Sequence, residues 1–165
     1  MSIRVPLPIA AALMLAAVLV TPAFAQFRPR GDVDVTEESR DEAAILRMLS
    51  AYEDAFNRRD MELRMSLCLD TYWEYGFENG EFLQARDFDD TRREVGRYWA
   101  SISALNYSID EIDITIDGPQ AFVRAYTTHI ARGERHSSIV HFNLVKIEGR
   151  WYIAWDSYNI VRKYD

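Results

Sequence analysis

Residues Ile112–Tyr158 read IDITIDGPQAFVRAYTTHIARGERHSSIVHFNLVKIEGRWYIAWDSY. Runs rich in Val, Ile, Thr, Phe and Tyr are broken at Arg132-Gly133-Glu134-Arg135 and at Glu148-Gly149, which predicts successive strands joined by turns. Glu148-Gly149 suits a two-residue hairpin, because Gly tolerates positive φ. Pairing Ile147 with Arg150 then sets Leu144 opposite Ile153, Phe142 opposite Trp155 and Val140 opposite Ser157. With four residues in the earlier turn, Ala131 pairs with His136. That sets Val123 opposite Leu144, Ala125 opposite Phe142, Thr127 opposite Val140 and His129 opposite Ser138. Side chains alternate faces with period two, so the two hairpins make independent statements about shared faces. They agree. One face carries Val123, Ala125, Thr127, His129, Val140, Phe142, Leu144, Ile153 and Trp155. The other carries Phe122, Arg124, Tyr126, Ile139, His141, Asn143, Tyr152 and Asp156.

Upstream segments supply cover for the apolar face. Ser39 with Glu42 three residues later forms a capping-box pattern that predicts a helix start. Ile45, Leu49, Tyr52 and Phe56 follow at helical spacing, flanked by Met48 and Ala55. Asp60 is placed to cap a second short helix carrying Leu63, Leu67 and Cys68. Tyr72–Phe77 reads as a strand ending at Glu78-Asn79-Gly80. Asp87 with Asp90 opens a third helix, whose stripe is Phe88, Val95, Trp99 and Ile102. Tyr107–Ile116 reads as a strand whose apolar parity switches near Asp110-Glu111, which predicts a bulge. Asp117-Gly118-Pro119 is the turn into the C-terminal strands. Helices, a hairpin region and a run of antiparallel strands define an α+β domain.

The first 25 residues read as a signal peptide. Arg4 precedes an apolar run from about Ile9 to Val20, and Ala23-Phe24-Ala25 is a small-x-small cleavage site. The run is shorter than the ~20 apolar residues of a membrane span. Cleavage predicts Gln26 as the mature start, a periplasmic or secreted location, and no membrane attachment afterwards. Residues 26–38 mix Pro, Gly and charge and read as a flexible linker, leaving one domain over 39–160. The formal charge of −7 argues against nucleic acid or an anionic membrane as partner. Cys68 is the single cysteine, in an apolar helical context, and reads as a buried structural thiol.

From about Asp41 to Ser157 the chain resembles the nuclear transport factor 2-like superfamily, close to its SnoaL-like and ketosteroid-isomerase-like bacterial members. The resemblance is carried by Tyr52-x3-Phe56-Asn57-Arg58-Arg59-Asp60, by Gly80-Glu81-Phe82-Leu83, and by His141-Phe142-x-Leu144 followed by Glu148-Gly149-Arg150-Trp151-x-Ile153. It implies a cystatin-like cone: a curved antiparallel sheet wrapped around N-terminal helices, with a pocket at the open end. It also implies a homodimer packed through the outer sheet face, for which Phe122, Tyr126, Ile139 and Tyr152 are suited.

The superfamily does not fix a function, so each role is tested by position. Ketosteroid-isomerase-like members use a first-helix Tyr and a strand Asp as oxyanion donors, with a second Asp as base. Tyr52 falls on the donor-Tyr position. The donor-Asp position becomes Val140, which cannot donate. The base position falls at or near Gly76, with Glu74 the nearest acid of the same parity. Steroid isomerisation by that mechanism does not fit. His129 lies on the inward face, where an imidazole with a pKa of ~6.5 suits proton transfer near neutrality. Scytalone-dehydratase-like members use pocket histidines and tyrosines in this way. Tyr52, His129 and Glu74 are therefore the candidate catalytic residues. Trp73, Trp99, Thr127, Val140, Phe142 and Trp155 are the candidate ligand-binding residues. His136, beside a turn, reads as solvated. His129 and His141 fall on opposite faces, so the pattern implies no metal, and it implies no cofactor. Three readings stay open: a binder of a small apolar or aromatic molecule, an acid–base isomerase, dehydratase or cyclase, and a protein-interaction module using the outer sheet.

Overall fold

The computed structural model describes residues 35–164, with side chains over 37–161. The signal-peptide segment and residues 26–34 of the expected linker lie outside the described residues. The elements are α1 (Val35–Arg58), α2 (Met61–Ser66), β1 (Cys68–Glu78), β2 (Glu81–Asp87), α3 (Phe88–Ala100), β3 (Leu105–Asp117), β4 (Gln120–Ala131), β5 (Glu134–Ile147) and β6 (Arg150–Tyr164). Their order across one curved sheet is β2-β1-β6-β5-β4-β3. The sheet is mixed rather than wholly antiparallel, because β1 runs parallel to β6. α1 begins at Val35, so Ser39 sits inside the helix instead of opening it, and residues 35–38 are helix rather than linker.

α1 lays Ile45, Leu49 and Tyr52 onto Val123, Phe142, Leu144 and Ile153, all buried. Each such aliphatic or aromatic side chain removed from water contributes about 1.5–3 kcal/mol, which is why this stripe directs the cover. The Asn57–Asp60 segment anchors the helix layer to the sheet. Asn57 Nδ2 donates to Tyr107 O at 2.8 Å, and Tyr107 N donates to Asn57 Oδ1 at 2.7 Å. Ile109 N donates to Glu53 Oε2 at 2.9 Å. These side chains satisfy backbone groups of the edge strand β3. Asp60 caps α2 by accepting from Leu63 N, and Asp87 caps α3 by accepting from Asp90 N. The β3 bulge falls where expected, with the register shifting between Asp110 and Asp113 and Glu111 at φ 48°.

Three hairpins turn on paired positive-φ residues, Asn79-Gly80, Arg132-Gly133 and Glu148-Gly149. This is the tight geometry that matches strand twist. Arg132-Gly133 is therefore a two-residue turn, not four. Ala131 pairs with Glu134, Thr127 with Ser138, and His129 with His136. The expected partners are wrong by two positions, but an even offset leaves every side chain on its expected face.

At β6 the offset is odd. Leu144 pairs with Ile153 as expected, but Asn143 pairs with Trp155 and Phe142 with Asp156, so β6 carries one extra residue at Ala154. A one-residue bulge exchanges the faces beyond it. Asp156 turns inward and is buried, while Trp155 turns outward. Both assignments are the reverse of the sequence expectation.

Candidate functional site

The helices and the concave sheet face enclose a cavity of about 340 Å³. α1 contributes Tyr52 and Phe56, and α3 contributes Glu94, Val95, Tyr98 and Trp99. The strands contribute Glu74, Arg86, Tyr107, Thr127, His129, His136, Ser138, Val140, Asp156, Tyr158 and Ile160. Six of these side chains are Phe, Tyr or Trp rings, and the polar groups gather in two places.

The inner group is centred on Asp156. Its Oδ2 accepts from Tyr72 Oη at 2.7 Å and from Tyr52 Oη at 3.2 Å. Arg64, with no exposed surface, donates Nη2 to Glu74 Oε2 at 2.6 Å and reaches the hydroxyls of Tyr52 at 3.4 Å and Tyr72 at 3.3 Å. Arg86 binds the other oxygen of Glu74 at 2.7 Å, and its Nε binds Glu94 at 3.0 Å. Alternating charge along Arg64, Glu74, Arg86 and Glu94 keeps the buried ions Arg64 and Glu74 paired and runs outward to the half-exposed Glu94. Burial pushes the Asp156 carboxyl up to about 7, and nearby Glu74 adds to the rise. Arg64 and the two tyrosine hydroxyls pull the other way. Burial also holds the Tyr52 and Tyr72 hydroxyls protonated, far above the usual phenol range.

The second group lies on the solvent side. His129 and His136 face each other across β4 and β5 with ring centroids 5.9 Å apart. Tyr98 Oη lies 3.3 Å from His129 Nε2. Burial, reinforced by His136, lowers His129 to about 4, so it is a neutral imidazole at physiological pH. His136 Nε2 lies 3.4 Å from Glu134, and its Nδ1 is buried without a partner. His136 is a cavity residue, not a solvated one, because the short turn sets it opposite His129.

Of the candidate residues, Tyr52, Glu74, His129, Trp99, Thr127 and Val140 line this cavity together. Three do not. Trp73 is 44% exposed and stacks on Tyr75 on the outer face. Trp155 joins Tyr75 and Phe77 in a shallow outer groove. Phe142 is fully buried in the core, its ring 5.4 Å from that of Tyr52. Glu74 has both oxygens committed to arginines, and the Tyr52 proton is directed to Asp156. Sequence reasoning missed Asp156, Tyr72, Arg64, Arg86 and Tyr158. Arg64 was detectable as the one cation in the short helix that carries Leu63, set between Leu63 and Met65. Cys68 is buried, and burial pushes its thiol up to about 12, as a structural cysteine requires. No group of three or more metal-ligating side chains occurs among the described residues.

No family model matches the chain, and no curated protein matches it. Solved structures do. A protein from Novosphingobium aromaticivorans, provisionally described as a scytalone dehydratase, superposes with a TM-score of 0.69 at 14% identity, covering 79% of this chain and 90% of that one. A provisional dehydratase of the same fold family from Streptomyces avermitilis gives 0.66 at 14% identity, covering 76% and 99%. A protein of unknown function from Shewanella baltica gives 0.57 at 20% identity, covering 77% and 96%. The domain has the nuclear transport factor 2-like, or cystatin-like, fold.

Proposed function

We propose that the domain binds a small, largely apolar or aromatic molecule inside the cone. The observation that carries this reading is the cavity itself. Its volume of about 340 Å³ suits a compact ligand, with aromatic walls for burial and a few converging polar groups for orientation. The structural neighbours with provisional dehydratase descriptions support it as analogy. Native mass spectrometry of purified protein, with release of co-purifying molecules, and calorimetric titration with substituted naphthalenes test it together. Saturable one-to-one binding is the expected result. No retained molecule and no saturation by any of these compounds overturns it.

A second reading, acid–base turnover of such a molecule, is favoured by one specific observation. Asp156, held near 7, reaches the same cavity as the neutral imidazole of His129. A carboxyl poised near the working pH suits proton transfer. In an assay of hydroxylated aromatic ketones, Asp156→Asn should abolish dehydration or isomerisation while ligand binding persists. Equal turnover in the variant counts against this role.

The proposal includes export, which rests on the residue 1–25 pattern. N-terminal sequencing of protein recovered outside the cytoplasm should begin at Gln26, and retention of residues 1–25 there would contradict it.

A further inference from the structure

Gln84, Gly76 and Tyr158 sit side by side on three neighbouring strands. Gly76 pairs with Gln84 on one side and with Tyr158 on the other. Gly76 has no side chain, and the two flanking side chains meet over it. Gln84 Nε2 donates to Tyr158 Oη at 2.5 Å. A Cβ at position 76 would lie 2.6 Å from that oxygen and 2.8 Å from Tyr158 Cζ. Both distances are below van der Waals contact, so the glycine is what lets the Tyr158 ring lie where it does. The φ of Gly76 is not in the left-handed region, so space rather than backbone freedom accounts for glycine here.

The consequence concerns a proton. A phenol offers one O–H donor and also accepts. Tyr52 and Tyr72 direct their donors at Asp156. Tyr158 is bound by Gln84 as an acceptor, and its own O–H has no acceptor among the described residues, although the side chain lines the cavity. A hydroxyl fixed by one neighbour and otherwise uncommitted is an oriented donor facing the ligand space.

Resting on the reading of the cavity as a binding site, we propose that Tyr158 is its specificity-determining residue. It donates to a hydrogen-bond-accepting oxygen, carbonyl or ether, on an otherwise apolar ring molecule, and Gly76 and Gln84 are its positioning residues. The ligand class narrows accordingly, from apolar molecules in general to aromatic ketones and ethers. A site built to hydrogen-bond a ligand group discriminates against the analogue that lacks it.

The test compares 2-acetonaphthone, which accepts, with naphthalene, which does not, by calorimetric or fluorescence titration. Wild-type protein should bind the ketone about tenfold or more tightly over naphthalene. Tyr158→Phe should bring ketone affinity down to that for naphthalene, and a circular dichroism spectrum matching that of wild type reports that the fold is intact. Gly76→Ala should remove the ketone preference too, with every hydroxyl still present, because the new methyl displaces the Tyr158 ring. If wild type binds both compounds equally, or Tyr158→Phe keeps the ketone preference, the Tyr158 assignment falls while the binding reading stands. If wild type binds neither compound, the Tyr158 assignment falls, and the binding reading falls with it where no molecule co-purifies either.

Discussion

The Tyr72 hydroxyl donates to Asp156 Oδ2 at 2.7 Å, joining β1 to β6 inside the cone. The bond does two things. It satisfies a buried carboxyl, and it favours the ionised form against the burial that opposes it. Tyr72→Phe should therefore destabilise the domain by about 1–3 kcal/mol, the cost of leaving a buried polar partner unmatched. It should also move the Asp156 carboxyl further above 7. Urea unfolding reads the first effect and carboxyl carbon NMR the second. A lowered midpoint would show that the hydrogen bond is not what holds the ionised form.

Asp156 makes stability depend on pH with a definite sign. Folding raises its carboxyl from the ordinary 3.8 to about 7, so the folded state holds the proton more tightly. The contribution is fully present below 3.8 and is lost as pH rises through 7. A tenfold change in proton affinity is worth about 1.4 kcal/mol, so the loss between the two values amounts to roughly 4 kcal/mol. Asp156→Asn cannot ionise and should lack this decline. Comparing denaturation midpoints of both proteins at pH 5 and pH 8 checks it, and parallel pH dependence refutes it.

The sequence legibly encodes the parts of this fold that follow from periodicity and caps. The Ile45–Phe56 stripe, the Asp60 and Asp87 caps, the β3 bulge and the faces of β4 and β5 were all readable. The β4–β5 partners were misread by two positions; parity survives an even offset, so the faces held, but the pairing of His129 with His136 was lost with the turn. The β6 bulge was the damaging omission. Trp151, Ile153 and Trp155 alternate without interruption in the sequence, so nothing in their pattern signals the extra residue at Ala154. That single insertion moved Trp155 out and brought in Asp156 and Tyr158, the residues on which the site turns. Local alternation encodes faces, but the parallel pairing of β6 with β1 sets where a face changes, and that pairing is non-local.

Arg64 and Glu74 form a buried pair at 2.6 Å, with Arg86 on the far side of Glu74. Removing one partner of such a pair leaves an uncompensated charge, which costs about 3–5 kcal/mol. Arg64→Met should cost about 3 kcal/mol, the low end of that range, because Glu74 keeps Arg86 at 2.7 Å. Glu74→Gln in the same chain should recover part of the loss, because no half-paired carboxylate remains and Arg86 keeps Glu94 at 3.0 Å. Chemical denaturation of the two single variants and the double variant closes the cycle. Additive losses would mean that Arg64 stabilises through its contacts with Tyr52 and Tyr72 instead.

His129 has the opposite linkage to Asp156. Burial, with a smaller contribution from His136, lowers it to about 4 from an ordinary 6.5. The unfolded chain therefore takes up a proton near 6.5 that the folded state refuses, and stability from this group is lost as pH falls from 6.5 towards 4. The two residues act against each other across this window, so the histidine is best read in an Asp156→Asn background. There, stability should fall on acidification, and His129→Gln should flatten the fall. The imidazole proton resonance of His129 should titrate near 4 in the folded protein. His136→Phe should raise that midpoint only modestly, because burial is the larger cause. A midpoint near 6.5 would mean that the imidazole is hydrated. The imidazole would then titrate beside Asp156 near the working pH, and it would suit proton transfer there as well as the carboxyl does.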